Sequence, residues 1–96
     1  MKQKNYIKIA KDVIAEEILA LKKLNSSFDK SFLKAIELIG QCKGKVILAG
    51  IGKSGLISRK ISATLSSVSI PSFYLHPSEA SHGDLGQITK QDILII

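Results

Sequence analysis

Two short segments hold the residues best suited to chemistry. The first, Gly50-Ile51-Gly52-Lys53-Ser54-Gly55, sets a lysine inside a glycine-rich turn. Glycines let a backbone turn sharply, and a helix starting just after such a turn offers free N–H groups to an anion. Lys53 is then a fixed cation beside that N-terminus. The second segment, His76-Pro77-Ser78-Glu79-Ala80-Ser81-His82-Gly83-Asp84-Leu85-Gly86, gathers both histidines of the chain with a glutamate and an aspartate. Two imidazoles flanking a carboxylate suit proton transfer near neutrality, or a metal. His76, Glu79 and His82 are compatible with zinc if the segment curls as one turn. Spacings of three do not stack perfectly on a helix, so at least one ligand would have to come from elsewhere. The bland alternatives are a tight turn with Lys53 merely solvated, and a surface loop with a short helical turn.

The glycine segment loosely matches two nucleotide-binding patterns. A Walker A loop needs a glycine five residues before its Gly-Lys-Ser, and that position is Ile47, inside an apolar run. The loop is too short to wrap a triphosphate. A dinucleotide fold also uses G-x-G-x-x-G between strand and helix, but it wants an acidic residue after the second strand, where this chain has His76-Pro77.

The elements that must position these segments follow from periodicity. Over residues 6–24, Ile7, Ala10, Ile14, Ile18, Leu21 and Leu24 recur at helical spacing. Asn25-Ser26-Ser27 breaks that helix, and Asp29 is a suitable N-cap for a second one carrying Phe32, Ile36 and Ile39. Their apolar stripes must cover the sheet or meet another subunit. Lys45-Val46-Ile47-Leu48-Ala49 is short, apolar and flanked by glycine, as a buried strand is. Helical spacing returns through Ile57, Ile61, Ala63, Leu65 and Val68, with Arg59 and Lys60 outside. Pro71 stops that helix, and Ser72-Phe73-Tyr74-Leu75 reads as the second strand. Ile93-Leu94-Ile95-Ile96 reads as the third. Strand–helix–strand–loop–strand implies a parallel sheet with right-handed crossovers. Both chemical segments follow strands and so rise on one sheet edge. The chain stops within an apolar strand, and such an exposed edge invites aggregation. The expectation is one domain cut short after its third strand.

Composition narrows the function classes. Hydrophobic residues make up 45% of 96, enough for a packed core, and no run approaches a membrane span. The basic opening is followed by an apolar run that Lys8 and Lys11 interrupt, a helix pattern and not a signal peptide. Cys42 is the single cysteine, so no internal disulfide forms and a reducing, cytoplasmic setting is expected. The net charge is +6, yet half of the 14 basic residues lie before Ser31 among acidic ones. No nucleic-acid motif accompanies them, so the charge is read as attraction of a small anion.

Beyond these physical readings, Gly50-Ile51-Gly52-Lys53-Ser54-Gly55, Arg59-Lys60-Ile61-Ser62-Ala63-Thr64, Pro71-Ser72-Phe73 and residues 76–86 closely resemble the arabinose-5-phosphate isomerase family. The likeness runs from about residue 43 to the end, with the leading helices also in place. It implies an α/β fold of the SIS (sugar isomerase) type, a flavodoxin-like three-layer parallel sheet with two leading helices. On this view residues 1–96 are the N-terminal part of one SIS domain, 1–43 the leading helices and 44–96 the start of the sheet. The family usually works as a homotetramer, and two CBS modules usually follow the domain.

The resemblance also implies an activity, the interconversion of D-ribulose 5-phosphate and D-arabinose 5-phosphate for the Kdo sugar of lipopolysaccharide. By position, Lys53 matches the catalytically important lysine, His76 a histidine associated with substrate and zinc, and His82 a substrate contact. Ser69-Ile70 matches a substrate-lining dipeptide that is more often Gly-Thr, which points to a backbone contact. No cofactor is required, and zinc is expected as an inhibitory occupant at His76. The partners expected are a small sugar phosphate and other copies of the chain, without nucleic acid or membrane. Isomerisation through an enediol needs a base, a donor for the oxygens and charge on the enediolate. Lys53 could hold that charge, His76 and His82 could position hydroxyls or assist ring opening, and the base would be a carboxylate beyond Ile96. The 96 residues alone are expected to be inactive. SIS domains also serve as non-enzymatic sugar-phosphate sensors, the alternative function.

Overall fold

A computed structural model describes residues 3–96, apart from the side chains of Gln3, Lys4 and Asp84. Met1 and Lys2, the first residues of the leading segment, lie outside the described residues. The chain divides into two compact units, Met1–Ile36 and Glu37–Ile96, with the boundary inside a helix.

In the first unit, α1 (Gln3–Leu24) carries Lys22 and Lys23 in its last turn, where cations favour the helix dipole. Lys8 and Asp12, one turn apart, pair at 3.1 Å on an exposed face. A 3₁₀ turn over Asn25–Ser27 ends the helix where the polar triplet predicts a break. Asp29 caps α2 (Lys30–Gly40) as expected. Its Oδ1 accepts from the Ser31 amide at 2.9 Å, the Ser31 hydroxyl at 2.6 Å and the Phe32 amide at 3.3 Å. The Ser31 hydroxyl, with those amides behind it, holds this carboxyl below its ordinary range. The Phe28 and Phe32 rings pack 4.9 Å apart across the cap.

The second unit is built on three parallel strands in the order β2-β1-β3: β1 (Val46–Ala49), β2 (Ser72–Leu75) and β3 (Ile93–Ile95). The register pairs Val46 with Ser72 and Ile93, and Ala49 with Leu75. Being central, β1 needs no polar face. Val46 and Ile47 are fully buried and Leu48 is 2% exposed. Each such side chain contributes about 2 kcal/mol by leaving water. One face carries Ile47, Ala49 and Leu75, packed by Phe73, Ala80 and Ile88. The other face takes α3 (Lys53–Ser67).

The spacing of Ile57, Ile61 and Val68 suggests an apolar inward stripe on α3, but those side chains remain exposed. The buried residues of α3 are Gly55, Ser58 and Ser62. Small side chains let the helix approach the sheet, and polarity is absorbed locally: the Ser72 hydroxyl donates to the Ser62 hydroxyl at 2.9 Å. The Ser66 hydroxyl donates to the Ser72 carbonyl at 3.0 Å. At the far end of α3, the Ile70 amide reaches the Leu65 carbonyl at 2.9 Å and the Ser69 amide reaches Ser66 at 3.1 Å. That is a Schellman stop, which places Ser69 at φ 69°, a conformation glycine adopts with less strain.

Asp92 closes the N-terminal edge of the sheet. Its side chain is 2% exposed and its Oδ2 lies 3.3 Å from the Lys45 ammonium. Oδ1 accepts from the Lys45 amide at 2.7 Å, and Oδ2 from the Thr89 amide at 2.7 Å.

Candidate functional site at the C-terminal sheet edge

Because Ala49 and Leu75 are register partners, the chain leaves β1 and β2 side by side, at Gly50 and His76. The two segments with chemical potential therefore start from neighbouring points on one edge, where parallel sheets bind ligands.

Gly52 is the N-cap of α3 at φ 63°, a value suited to glycine, and Lys53 is the first helical residue. The Lys53 side chain is exposed, at the end of α3 where free N–H groups converge. The Leu56 amide donates to the Gly52 carbonyl at 3.2 Å, and the Ser54 hydroxyl to the Ile51 carbonyl at 2.9 Å. A Cβ on Gly55 would stand 2.7 Å from the Gly50 carbonyl oxygen, so no larger residue lets the loop close this tightly onto α3.

Tyr74 joins the two segments. Its hydroxyl donates to the Gly50 carbonyl. The Arg59 guanidinium carbon lies 4.6 Å from its ring centre, a cation–π contact. His76 is edge-on to the same ring at 6.2 Å and 84°. Strand alternation puts residues 74 and 76 on one side, which is the α3 side. Sequence reasoning missed Tyr74 and left Arg59 outside; the two-residue step from Tyr74 to His76 was the signal available.

His76 is half-buried and caps α4 (Pro77–Ala80), a single turn. Its Nδ1 accepts from the Ser78 amide at 3.1 Å and stands 2.7 Å from the Ser78 hydroxyl. Its carbonyl accepts from the Glu79 and Ala80 amides at 3.0 and 3.1 Å. His82 follows the turn, exposed, with its amide on the Glu79 carbonyl at 3.0 Å; Glu79 is exposed too. A further turn, Asp84–Gln87, leads away, and the Asp84 side chain lies outside the described residues.

The segment curls as the zinc reading requires, but among the described residues no three His, Cys, Asp or Glu side chains come together to hold a metal ion. His76 Nδ1 is also already engaged. These residues do not fit a resident zinc.

Ser69 and Ile70 do not join this edge. Lys53 and Ser69 lie at opposite ends of α3, whose 15 residues span about 22 Å. The pair precedes β2, whereas His76 follows it. Within one chain, Ser69 and Ile70 sit in the Schellman stop, away from Lys53 and His76.

No family model matches the chain. A probable arabinose 5-phosphate isomerase of Haemophilus influenzae is 47% identical over 92 residues, 96% of this chain and 27% of that protein. The arabinose 5-phosphate isomerase KpsF of Escherichia coli O6:H1 is 51% identical over 87 residues, 90% of this chain and 27% of its own length. Among solved structures, an E. coli CFT073 protein in complex with arabinose 5-phosphate matches with TM-score 0.86 and 38% identity. A Listeria monocytogenes putative sugar-phosphate isomerase matches with TM-score 0.89 and 32% identity. Each match covers 98% of this chain and 50% of the solved one. The chain thus spans a little over a quarter of the curated relatives and half of the solved chains. With its motifs in family order and its parallel sheet matching theirs, the chain belongs to the arabinose-5-phosphate isomerase family and forms part of the SIS domain.

Proposed function

We propose that the protein to which these residues belong is an aldose–ketose isomerase that interconverts D-arabinose 5-phosphate and D-ribulose 5-phosphate. The observation that carries this reading is the shared edge: Lys53 at the start of α3 beside the His76 segment, joined through Tyr74. The names of its relatives supply the sugar.

In this reaction a base removes the C2 proton of the open-chain aldose. The electron pair left behind forms the C1–C2 double bond and drives the carbonyl electrons onto oxygen. The proton returns at C1, and a second proton moves between the two oxygens. Lys53 opposes the negative charge that grows on oxygen, worth most in a site that excludes water. His76 and His82 position the hydroxyls or assist ring opening. By its likeness to the family, the base is a carboxylate outside these 96 residues. Residues 1–96 alone therefore turn nothing over.

The working protein is a cytoplasmic homotetramer that supplies arabinose 5-phosphate for Kdo synthesis. The exposed Ile57, Ile61 and Val68 give it apolar surface for assembly. No described helix is long and apolar enough to cross a membrane. Ser69 and Ile70 meet a sugar only if it is held by another copy. Zinc enters as a competitor at His76, not as a reagent. Incubating the complete protein with D-arabinose 5-phosphate and following ketose formation tests the proposal. Binding without turnover would make it a sugar-phosphate sensor, and neither binding nor turnover would end the sugar-phosphate reading.

A further inference from the structure

The cap on α4 has a consequence for the chemistry of His76. A backbone N–H can only donate, so the Ser78 amide at 3.1 Å requires a lone pair on Nδ1. A neutral imidazole carries one proton, which then sits on Nε2. With the lone pair fixed on Nδ1, the Ser78 hydroxyl at 2.7 Å donates to it as well. The backbone supports the same arrangement, because Pro77 restricts the first helical position and the His76 carbonyl takes the Glu79 and Ala80 amides. On the other side, the Tyr74 ring stands edge-on. Turning the ring over would replace Nδ1 by Cδ2–H against the Ser78 amide, and the other neutral tautomer would set N–H against N–H; either loses the cap.

We propose that His76 meets its ligand as a neutral hydrogen-bond donor through Nε2–H, its polarity set by the Ser78 amide, and that it is not the base. This rests on the isomerase reading for the identity of the ligand, a sugar oxygen. When the C–H proton leaves to the base and charge builds on the former carbonyl oxygen, Nε2–H strengthens its hydrogen bond and keeps its proton. The edge then presents two donors of the same sense, the Lys53 ammonium and the His76 N–H. Both favour oxygens that gain negative charge.

The test uses the complete protein with ¹⁵N-labelled histidine, at mildly alkaline pH and without substrate. Ring nitrogen–proton correlations are expected to put the His76 proton on Nε2; a proton on Nδ1 overturns the proposal. Kinetics give a second arm. Glutamine can place an N–H near the Nε2 position, whereas asparagine can keep the cap but withdraws that donor. His76→Gln is expected to lose about tenfold in kcat, and His76→Asn about 100-fold, the scale of one lost donor to a developing oxyanion. Equal losses in both variants, or a greater loss in the glutamine variant, overturn the donor role. The spectroscopic arm needs no substrate, so the two readings fail separately. Inactive wild-type protein with an Nε2–H ring removes the isomerase and keeps the polarity, while an active isomerase with an Nδ1–H ring does the reverse.

Discussion

The Tyr74 hydroxyl donates to the Gly50 carbonyl, tying the end of β2 to the loop that leaves β1. The same ring lies against Arg59 of α3 and beside His76, so a single side chain links the loop after β1, α3 and the start of the His76 segment. Tyr74→Phe keeps the ring and its contacts but removes the tether. A neutral hydrogen bond contributes about 1 kcal/mol net, and that loss is expected in urea unfolding. Tyr74→Ala removes the ring too and should cost clearly more. A phenylalanine variant as stable as wild type would mean the tether is not made in solution.

Much of this arrangement was legible in the sequence. Periodicity does not separate Val46-Ile47-Leu48-Ala49 from a buried helix, but its shortness and flanking glycines favour a buried strand, which is what forms. Once that strand and Ser72-Phe73-Tyr74-Leu75 are parallel, Lys53 and His76 must share an edge. Asp29 was readable because capping chemistry is local. The inward face of α3 was not. Hydrophobicity nominated Ile57 and Ile61, whereas closeness of approach selected Gly55, Ser58 and Ser62, whose serine polarity is answered by Ser72 for Ser62. The role of Ser78 was hidden for a similar reason: it acts through a backbone amide, which every residue but proline has.

Ser69 is a serine where the backbone calls for glycine, at φ 69° in the Schellman stop. Residues other than glycine lose about 1 kcal/mol or more in that region. Ser69→Gly is therefore expected to stabilise the protein by up to about 1 kcal/mol, less the entropy glycine adds to the unfolded chain. Ser69→Val should destabilise it, since a β-branched residue fits that region worst. Thermal or urea unfolding reads both, and a destabilising glycine would show that this turn relaxes elsewhere.

Asp92 makes stability depend on acid. The Lys45 amide, then the Thr89 amide and the Lys45 ammonium, lower its pKa from 3.8 to about 2. A folded-state pKa below the unfolded one means that protonation favours unfolding. The contribution is fully present above the unfolded value of 3.8 and is lost as pH falls towards about 2. Asp92→Asn has no carboxylate to protonate. Its deficit against wild type in urea midpoint should be constant near neutrality and shrink across that window. A deficit that stays constant to the acid limit would remove Asp92 from the acid response.

Lys53 is exposed at the start of α3 and makes no ion pair among the described residues. Its removal should hardly touch folding. Lys53→Ala in the complete protein is expected to lose at least about 100-fold in kcat, the effect of deleting one fixed charge from a developing oxyanion. Its unfolding midpoint should stay close to wild type. A variant with wild-type turnover would take Lys53 out of the mechanism, and one that fails to fold would make it structural.

Metal removal separates an occupant from a reagent. The turn at Pro77–Ala80 leaves His76, Glu79 and His82 short of a three-ligand set, and His76 Nδ1 is held by Ser78. Zinc reaching this segment must therefore take Nε2, displacing its proton or breaking the cap, with at least one other ligand drawn from outside the described residues. Such a site is poorly prepared, and an ion held there occupies the atom that should meet the sugar. Chelation is accordingly expected to leave the activity of the complete protein unchanged or to raise it, and added zinc to lower it. His76→Gln should blunt the zinc inhibition, because an amide is a far weaker zinc ligand than imidazole. Loss of activity on chelation with recovery on adding zinc would make the metal a participant, and the donor role of His76 would then have to be abandoned.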